Sequence, residues 1–190
     1  SRAHQVNKSI APLQDAQQAM YMARTNANEW GIDANKIGIM GFSAGGHLAS
    51  TAATHYEDVK VTNPVNISYR PDFQILIYPV ISFASYGHKG SRDNLIGPVI
   101  SEDQVHYFSN EEHINKSAPP AFLVHAKDDE SVPVANSINY YKQLQENQVA
   151  SELYLFEKGG HGFGMKNKTS DIFWPKLMHE WLIKNDIINQ

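Results

Sequence analysis

KIGIMGFSAGGH, the stretch from Lys36 to His47, joins a short apolar run directly to a segment of small residues. The apolar run, Lys36 to Phe42, follows a turn-like Asp-Ala-Asn and has the length of a buried strand. The segment that follows, Ala44 to His55, is rich in alanine and favours a helix. The stretch therefore predicts a strand–turn–helix unit whose turn is centred on Ser43.

The residues around Ser43 suit an exposed nucleophile. Gly41 and Gly45 are expected where the turn is strained and side chains two residues to either side would collide. Such a turn lifts the serine hydroxyl clear of the sheet, at the positive end of the following helix. We interpret Ser43 as a nucleophile and the backbone N–H of Ala44 as an oxyanion donor. An ordinary glycine-rich turn is the alternative.

The rest of the chain alternates predicted strands with predicted helices. Apolar residues at helical spacing predict a helix over residues 13–30 that ends at Gly31. Further strands are predicted at Phe73–Val80, Ala121–His125 and Glu152–Glu157, and further helices at Val134–Gln148 and Asp171–Asn185. This alternation indicates an α/β fold with a mostly parallel sheet and helices on both faces.

A long segment from Ser82 to Pro120 interrupts the alternation. It is rich in Gly, Pro, Ser and Asn, and at most one short helix is predicted in it, near Glu102–Phe108. Connections this long in compact domains are often active-site lids or binding loops. We therefore expect residues 1–190 to form a single domain with a lid-like insertion at about residues 82–120.

Composition argues against several classes of function. The formal net charge is −4 and no block of like charges occurs, which disfavours nucleic-acid and anionic-membrane partners. No apolar run approaches the roughly 20 residues that span a bilayer. The sequence contains no cysteine, which excludes disulfides, thiolate metal sites and a cysteine nucleophile.

A serine nucleophile needs a general base, and nine histidines compete for that role. The usual chain order after such a turn is serine, acid, histidine. His161 fits that order, because it lies in a glycine-rich loop after the last predicted strand. His125 ends a strand and is interpreted as structural. His47 is placed at the mouth of the site, and the remaining six histidines are predicted to be surface residues.

The acid is expected after the third predicted strand. That strand runs into Asp128, Asp129 and Glu130, three carboxylates in a row. The local sequence does not choose between Asp128 and Asp129. One of the two is interpreted as the acid that orients His161, and the other as a solvated or capping carboxylate.

Three stretches carry a resemblance to a known family that extends over nearly all 190 residues. They are GFSAGGHLAS at residues 41–50, HAKDDESVP at 125–133 and GGHGFG at 159–164. Together they resemble the acetylxylan-esterase-like branch of the α/β-hydrolases, which includes feruloyl-esterase-like carbohydrate esterases. In that family the acid is the Asp of a His-Gly-x-x-Asp-x-x-Val-Pro pattern. The pattern falls on Asp129, with Ala126 in place of the glycine, so the resemblance implies a triad of Ser43, Asp129 and His161.

The resemblance also implies an activity. A member of this family is a serine esterase that cleaves short, acetyl-type esters of small molecules or polysaccharides through an acyl-enzyme, with no metal or organic cofactor. It implies a secreted or periplasmic location. A prolyl-oligopeptidase-type serine peptidase and a non-catalytic hydrolase-like module share the fold and stay as alternatives.

Part of the family fold has no counterpart in this sequence. The four predicted strands are fewer than the complete α/β-hydrolase sheet has, and its glycine-rich loop with the second oxyanion donor is missing. We expect the chain to be the C-terminal portion of the fold, with residues 1–12 following the fourth strand. One such donor is worth about 10²–10³ in turnover, so weak or absent activity is expected of this portion alone. The bare edge of strand Lys36–Phe42 predicts self-association or pairing with the missing N-terminal segment.

Overall fold

The computed structural model describes residues 7–62 and 64–189, so His4 and the first half of the segment 1–12 lie outside it. The helices are α1 (Ala11–Thr25), α2 (Ala27–Trp30), α3 (Ala44–Thr54), α4 (Lys89–Ile96), α5 (Glu102–Tyr107), α6 (Ala135–Glu146) and α7 (Trp174–Lys184). The strands are β1 (Ile39–Phe42), β2 (Gln74–Ile77), β3 (Ala121–Ala126) and β4 (Ser151–Phe156). No helix in this part of the chain is long and apolar enough to cross a membrane.

The strands form one parallel sheet in the order β1-β2-β3-β4. Its register aligns Gly41 with Leu76 and Leu76 with Leu123. Because all strands run in the same direction, the loops that follow β1, β2, β3 and β4 emerge at one edge of the sheet. The predicted α/β-hydrolase architecture with a parallel sheet is therefore confirmed, and the candidate catalytic residues belong to loops on a common edge.

Both faces of the sheet are covered by helices. The core on the α3 and α6 face includes Ala49, Leu76, Leu123, Tyr140 and Leu144. The core on the α7 face includes Ile75, Phe122, Val124, Trp174 and Trp181. Successive residues of β2 and β3 thus point to alternate cores, which is why both strands are apolar except at Gln74 and His125. Full burial of each large apolar side chain contributes about 1.5–3 kcal/mol.

The predicted helix over residues 13–30 is two helices. Asn26 separates α1 from α2, with φ −99° and ψ 8°, and its amide donates to the carbonyl oxygen of Met22 at 2.8 Å. Gly31 ends α2 in the left-handed region, at φ 66°, as predicted. An asparagine side chain that bonds its own helix backbone explains the break, because it competes with the helical hydrogen bonds.

The segment between β2 and β3 contains more structure than its composition predicts. Besides α5 it holds α4 and a 3-10 helix, Asn110–His113. The imidazole of His88 accepts the backbone N–H of Ser91 and caps α4, while Lys89 pairs with Asp93 one turn later. Gly and Ser in the first turn of α4 conceal this helix from a propensity-based prediction.

Two histidines that the sequence places at the periphery are buried. His47 on α3 donates from Nε2 to the carbonyl oxygen of Phe108 at 2.9 Å, and its ring stacks on Phe83. His55, just after α3, packs against Tyr107 and is 8% exposed. The prediction that His55 is a surface residue is wrong, because α5 and the 3-10 helix fold over the end of α3. Burial lowers the pKa of both histidines to about 4.

We expect the free energy of unfolding to decrease as the pH is lowered from 6.5 to about 4. Over this range the unfolded chain takes up protons at His47 and His55, whereas the folded chain does not. Each histidine then costs up to about 1.4 kcal/mol of stability per pH unit. Urea unfolding at pH 7 and pH 5 measures the decrease. His47→Gln keeps an N–H donor but loses the titration, so its stability should depend less on pH. Exposed His179→Gln is the matched control and should keep the wild-type dependence of the free energy of unfolding on pH. The same dependence in His47→Gln would contradict the contribution of His47.

Candidate active site

Ser43 occupies a strained turn between β1 and α3. Its φ is 50° and its ψ is −122°, in a region that costs a residue with a side chain of order 1–3 kcal/mol. Its N–H donates to the carbonyl oxygen of Ile77 at 3.0 Å, and its carbonyl accepts the N–H of Val80 at 3.0 Å. The end of β2 therefore holds the strained backbone from both sides. The Ser43 side chain makes no capping bond to α3, which leaves the hydroxyl for other partners.

The structure requires a glycine at some of the positions around Ser43 and not at others. A Cβ on Gly41 would lie 2.1 Å from the carbonyl oxygen of Gly45, so the predicted collision occurs there. A Cβ on Gly45 would meet nothing within 4 Å, so the prediction is wrong at that position. The tight contact on the helix side is at Gly46, where a Cβ would lie 2.5 Å from the Cβ of Pro79. The close packing of α3 on the loop after β2 therefore requires a glycine at position 46.

The three residues singled out in the sequence lie in one hydrogen-bonded series. The distance from Ser43 Oγ to His161 Nε2 is 2.8 Å, and that from His161 Nδ1 to Asp129 Oδ2 is 2.6 Å. A carboxylate only accepts hydrogen bonds, so Nδ1 carries the proton and Nε2 accepts from the serine hydroxyl. This is the tautomer that a general base next to a serine requires.

Asp129 lies in the turn after β3, and its side chain is fully buried. Its Oδ1 accepts the backbone N–H groups of Ser131 and Val132, each at 2.9 Å. Burial alone raises the pKa of Asp129, but hydrogen bonds from His125, Val132 and His161 outweigh it and lower the pKa to about 2. The carboxylate is therefore ionised at neutral pH.

Asp128, the other candidate for the acid, has a different partner. Its side chain is directed to the loop that carries His161, where Oδ1 accepts the N–H of Gly160 at 2.8 Å. Gly160 has φ 58°, in the left-handed region that favours glycine. Asp128 therefore fixes the backbone before His161, and Asp129 contacts the imidazole itself.

The geometry agrees with a comparison of the chain with known families. The BD-FAE family model matches residues 1–144. The chain belongs to the BD-FAE family.

Relatives of this BD-FAE chain include longer proteins. Endo-1,4-beta-xylanase B of Butyrivibrio fibrisolvens is 39% identical over 158 residues, which are 82% of this chain and 25% of that protein. Acetylxylan esterase of Xylanibacter ruminicola is 37% identical over 158 residues, which are 80% of this chain and 31% of that protein. The chain therefore spans a quarter to a third of the length of these curated relatives.

A solved structure gives the same assignment. The crystal structure of an acetyl ester-xyloside bifunctional hydrolase from Caldicellulosiruptor lactoaceticus superposes with a TM-score of 0.89 at 40% identity. The alignment covers 94% of the BD-FAE chain and 67% of that structure. The resemblance to acetylxylan-esterase-like α/β-hydrolases is confirmed.

Three residues beside the site of this BD-FAE chain, Tyr78, Trp174 and His125, are not indicated as site residues by any pattern in the sequence. Tyr78, which follows β2 at φ 38°, presents its ring to His161 with centroids 5.0 Å apart. Its hydroxyl accepts the N–H of Gly164 at 3.1 Å, and Trp174 donates to the carbonyl of Gly164 at 3.0 Å. His125, which the sequence indicates to be structural, contacts Asp129 Oδ2 through Nε2 at 3.2 Å. Tyr78 and Trp174 thus anchor the loop of His161, and His125 adjoins the acid.

A cavity of about 300 Å³ adjoins Ala44, between α1, α3 and the segment 82–120 of the BD-FAE chain. Its walls are mainly apolar and its rim is polar. Leu13, Leu48, Phe83, Leu95 and Phe108 line the walls, and Lys8, Ser9, Ser91 and Asn94 line the rim. As the first residue of α3, Ala44 has an N–H with no acceptor inside the helix. Among the described residues, no group of three or more His, Asp or Glu side chains could hold a metal ion.

Proposed function

We propose that this chain is the catalytic portion of a serine esterase that hydrolyses short, acetyl-type esters on carbohydrate. The observation that carries the proposal is the series Ser43–His161–Asp129, with distances of 2.8 and 2.6 Å, on a strained turn at the start of α3. Two relatives, an acetylxylan esterase and an acetyl ester-xyloside bifunctional hydrolase, support an acetyl group as the acyl group of the substrate and a sugar as its alcohol.

The first half of the proposed reaction is acylation. Oγ of Ser43 attacks the ester carbonyl carbon while its proton passes to Nε2 of His161. The oxyanion of the tetrahedral intermediate lies at the N–H of Ala44, at the positive end of α3. When the intermediate collapses, the bond to the alcohol oxygen breaks, and that oxygen takes the proton from His161.

The second half is hydrolysis of the acyl-enzyme. A water molecule gives a proton to His161 as it attacks the acyl carbon, and the resulting intermediate releases the carboxylic acid and regenerates Ser43. Asp129 keeps its negative charge through both halves, because its low pKa favours the ionised form. The charge fixes the tautomer of His161 and stabilises the imidazolium ion.

The segment 82–120 acts in this proposal as a lid over the substrate. Phe83 and Phe108 extend it over the cavity beside Ala44, whose apolar walls suit the face of a sugar ring. The polar rim provides hydrogen-bonding groups for sugar hydroxyls. The acetyl group then requires only the small space around Ser43.

The test compares three kinds of substrate. We expect release of acetate from acetylated xylo-oligosaccharides, and a kcat/KM for p-nitrophenyl acetate at least about 10-fold above that for p-nitrophenyl octanoate. A reversed order would indicate a lipase-like site. Faster cleavage of a peptide p-nitroanilide would favour the prolyl-oligopeptidase-type reading. No turnover, together with no labelling of Ser43 by a fluorophosphonate, would favour a non-catalytic module.

We also propose that the outer edge of β1 pairs with a strand of a second copy of this chain. In residues 7–62 and 64–189, β1 pairs only with β2, and Met40 on β1 is 41% exposed. An unpaired apolar edge is a template for another strand. We expect a weight-average mass in sedimentation equilibrium that rises with concentration, and a lower mass for Met40→Lys. A monodisperse monomer at high concentration would contradict the pairing.

A further inference from the structure

His125 is a polar side chain in the apolar centre of the molecule. It lies on β3 between Val124 and Ala126, and its side chain is 0% exposed. Burying an imidazole costs free energy unless hydrogen bonds replace those made to water. An apolar residue would avoid this cost, so the partners of the ring indicate what the histidine contributes.

The partners determine the tautomer of His125. Nε2 lies 3.0 Å from the carbonyl oxygen of Val132 and 3.2 Å from Oδ2 of Asp129. Both of these atoms only accept hydrogen bonds, so Nε2 carries the proton and divides it between them. Nδ1 lies 2.8 Å from Oγ of Ser137 and accepts the proton of that hydroxyl. The neutral ring is thereby satisfied at both nitrogens.

Asp129 Oδ2 consequently lies between two imidazoles. It accepts from Nδ1 of His161 at 2.6 Å and from Nε2 of His125 at 3.2 Å. A bond donated to the Val132 carbonyl oxygen would satisfy Nε2 of an ordinary core histidine, so the contact with Oδ2 is additional. Rotation of the carboxylate toward solvent would break the contacts with both rings.

We propose that His125 is a positioning residue of the esterase: its Nε2–H holds Oδ2 of Asp129 where that oxygen receives Nδ1–H of His161, and the Ser137 hydroxyl donates to Nδ1 of His125 and holds the ring in place. The proposal rests on the proposed function, because it takes Asp129 and His161 as the acid and the base. Within the described residues, the hydrogen bonds of the His125 side chain are with Asp129, Val132 and Ser137, and the side chain does not line the cavity, so its link to the site is Asp129.

In the described part of the chain, few other titratable groups face Asp129 and His161. Tyr78 presents its ring to His161, and burial raises its pKa, so it is neutral in the working range of the enzyme. Asp128 is directed to Gly160 on the loop of His161. The acidic limb of the pH profile of kcat/KM is therefore expected to depend mainly on the hydrogen bonds that Asp129 accepts.

The experiment measures kcat, KM and the acidic limb with p-nitrophenyl acetate. In His125→Leu we expect kcat to fall on the order of 10²-fold with KM unchanged, because the carboxylate is no longer held in position. The acidic limb should move to higher pH, since a carboxylate that loses a donor attracts the neighbouring imidazolium proton more strongly. His125→Gln restores an N–H near the position of Nε2 and should recover most of kcat and the wild-type limb.

Two further variants separate positioning from packing. Val124→Ala removes a buried side chain next to His125 and should lower stability without moving the limb. Ser137→Ala leaves Nδ1 of His125 without its hydrogen-bond donor, which loosens the ring, and should move the limb in the same direction as His125→Leu, by less. If His125→Leu does not fold, the kcat and the acidic limb of Ser137→Ala and His125→Gln still test the positioning role. A wild-type kcat and limb in folded His125→Leu or in Ser137→Ala would overturn the proposal.

A readout that needs no turnover separates this proposal from the proposed function. The proton between His161 and Asp129 gives a low-field NMR resonance, which should shift or broaden in His125→Leu and Ser137→Ala but not in Val124→Ala. An inactive wild-type protein with that response would reject the esterase and keep the positioning role. An active enzyme whose resonance is the same in all variants would keep the esterase and reject the positioning role of His125.

Discussion

Replacing Ser43 with alanine in the full-length protein is expected to reduce kcat for p-nitrophenyl acetate by about 10⁴–10⁶-fold, to near the rate of spontaneous hydrolysis. The variant keeps His161 and Asp129 but has no oxygen to form the acyl-enzyme. The strained turn at Ser43 should persist, because it is held by the backbone hydrogen bonds of Ser43 with Ile77 and Val80 and not by the hydroxyl. Circular dichroism and urea unfolding will establish that the variant is folded.

Ser117→Ala is the matched control for the loss of a serine hydroxyl. Ser117 is exposed at the end of the segment 82–120, before β3, and should give wild-type turnover. Labelling with a fluorophosphonate should be lost in Ser43→Ala and kept in Ser117→Ala. Full activity in the Ser43→Ala protein would remove Ser43 from the mechanism.

Substitution of Asp129 with asparagine should reduce kcat by about 10⁴-fold, while Asp128→Asn should stay within about 10-fold of the wild type. At position 129 the new amide donates to Nδ1 of His161 and moves the ring proton to Nε2. His161 then cannot accept the proton of Ser43. At position 128 the asparagine keeps an oxygen that accepts the N–H of Gly160.

The two aspartate variants control for each other, because each removes one negative charge from the same turn. Only Asp129 contacts His161, so a larger loss of kcat in Asp129→Asn reports on that contact, once urea unfolding shows that the loss of its bonds with Ser131 and Val132 has not unfolded the variant. Equal losses, or a larger loss at Asp128, would assign the acid to Asp128.

The sequence predicts those features that depend on local pattern and chain order. The turn at Ser43 follows from small residues between a strand and a helix, and the loop of His161 from its glycines. Asp128 and Asp129 are chemically equal in the sequence, so only the family pattern separates them before the structure is known. In the structure they differ because one side chain is directed into the protein and the other to Gly160.

Features that depend on the exact course of the backbone could not be predicted from residue types. Tyr78 has a positive φ, and its N–H donates to the carbonyl oxygen of Val124 on β3 at 2.6 Å, which its residue type does not indicate. The contact of His125 with Asp129 requires the turn after β3 to fold back over the strand. The helix α4 depends on a cap from His88 that a propensity scale does not include.

The separation of the site residues along the chain has a consequence for folding. Ser43 and His161 are 118 positions apart, and Asp129 and His161 are 32 apart, so none of their contacts is local. Closing loops of this length is a slow step that depends on the register of all four strands. In a refolding experiment, hydrolytic activity should therefore recover after the far-ultraviolet signal of the helices, and its rate measures the completion of the sheet.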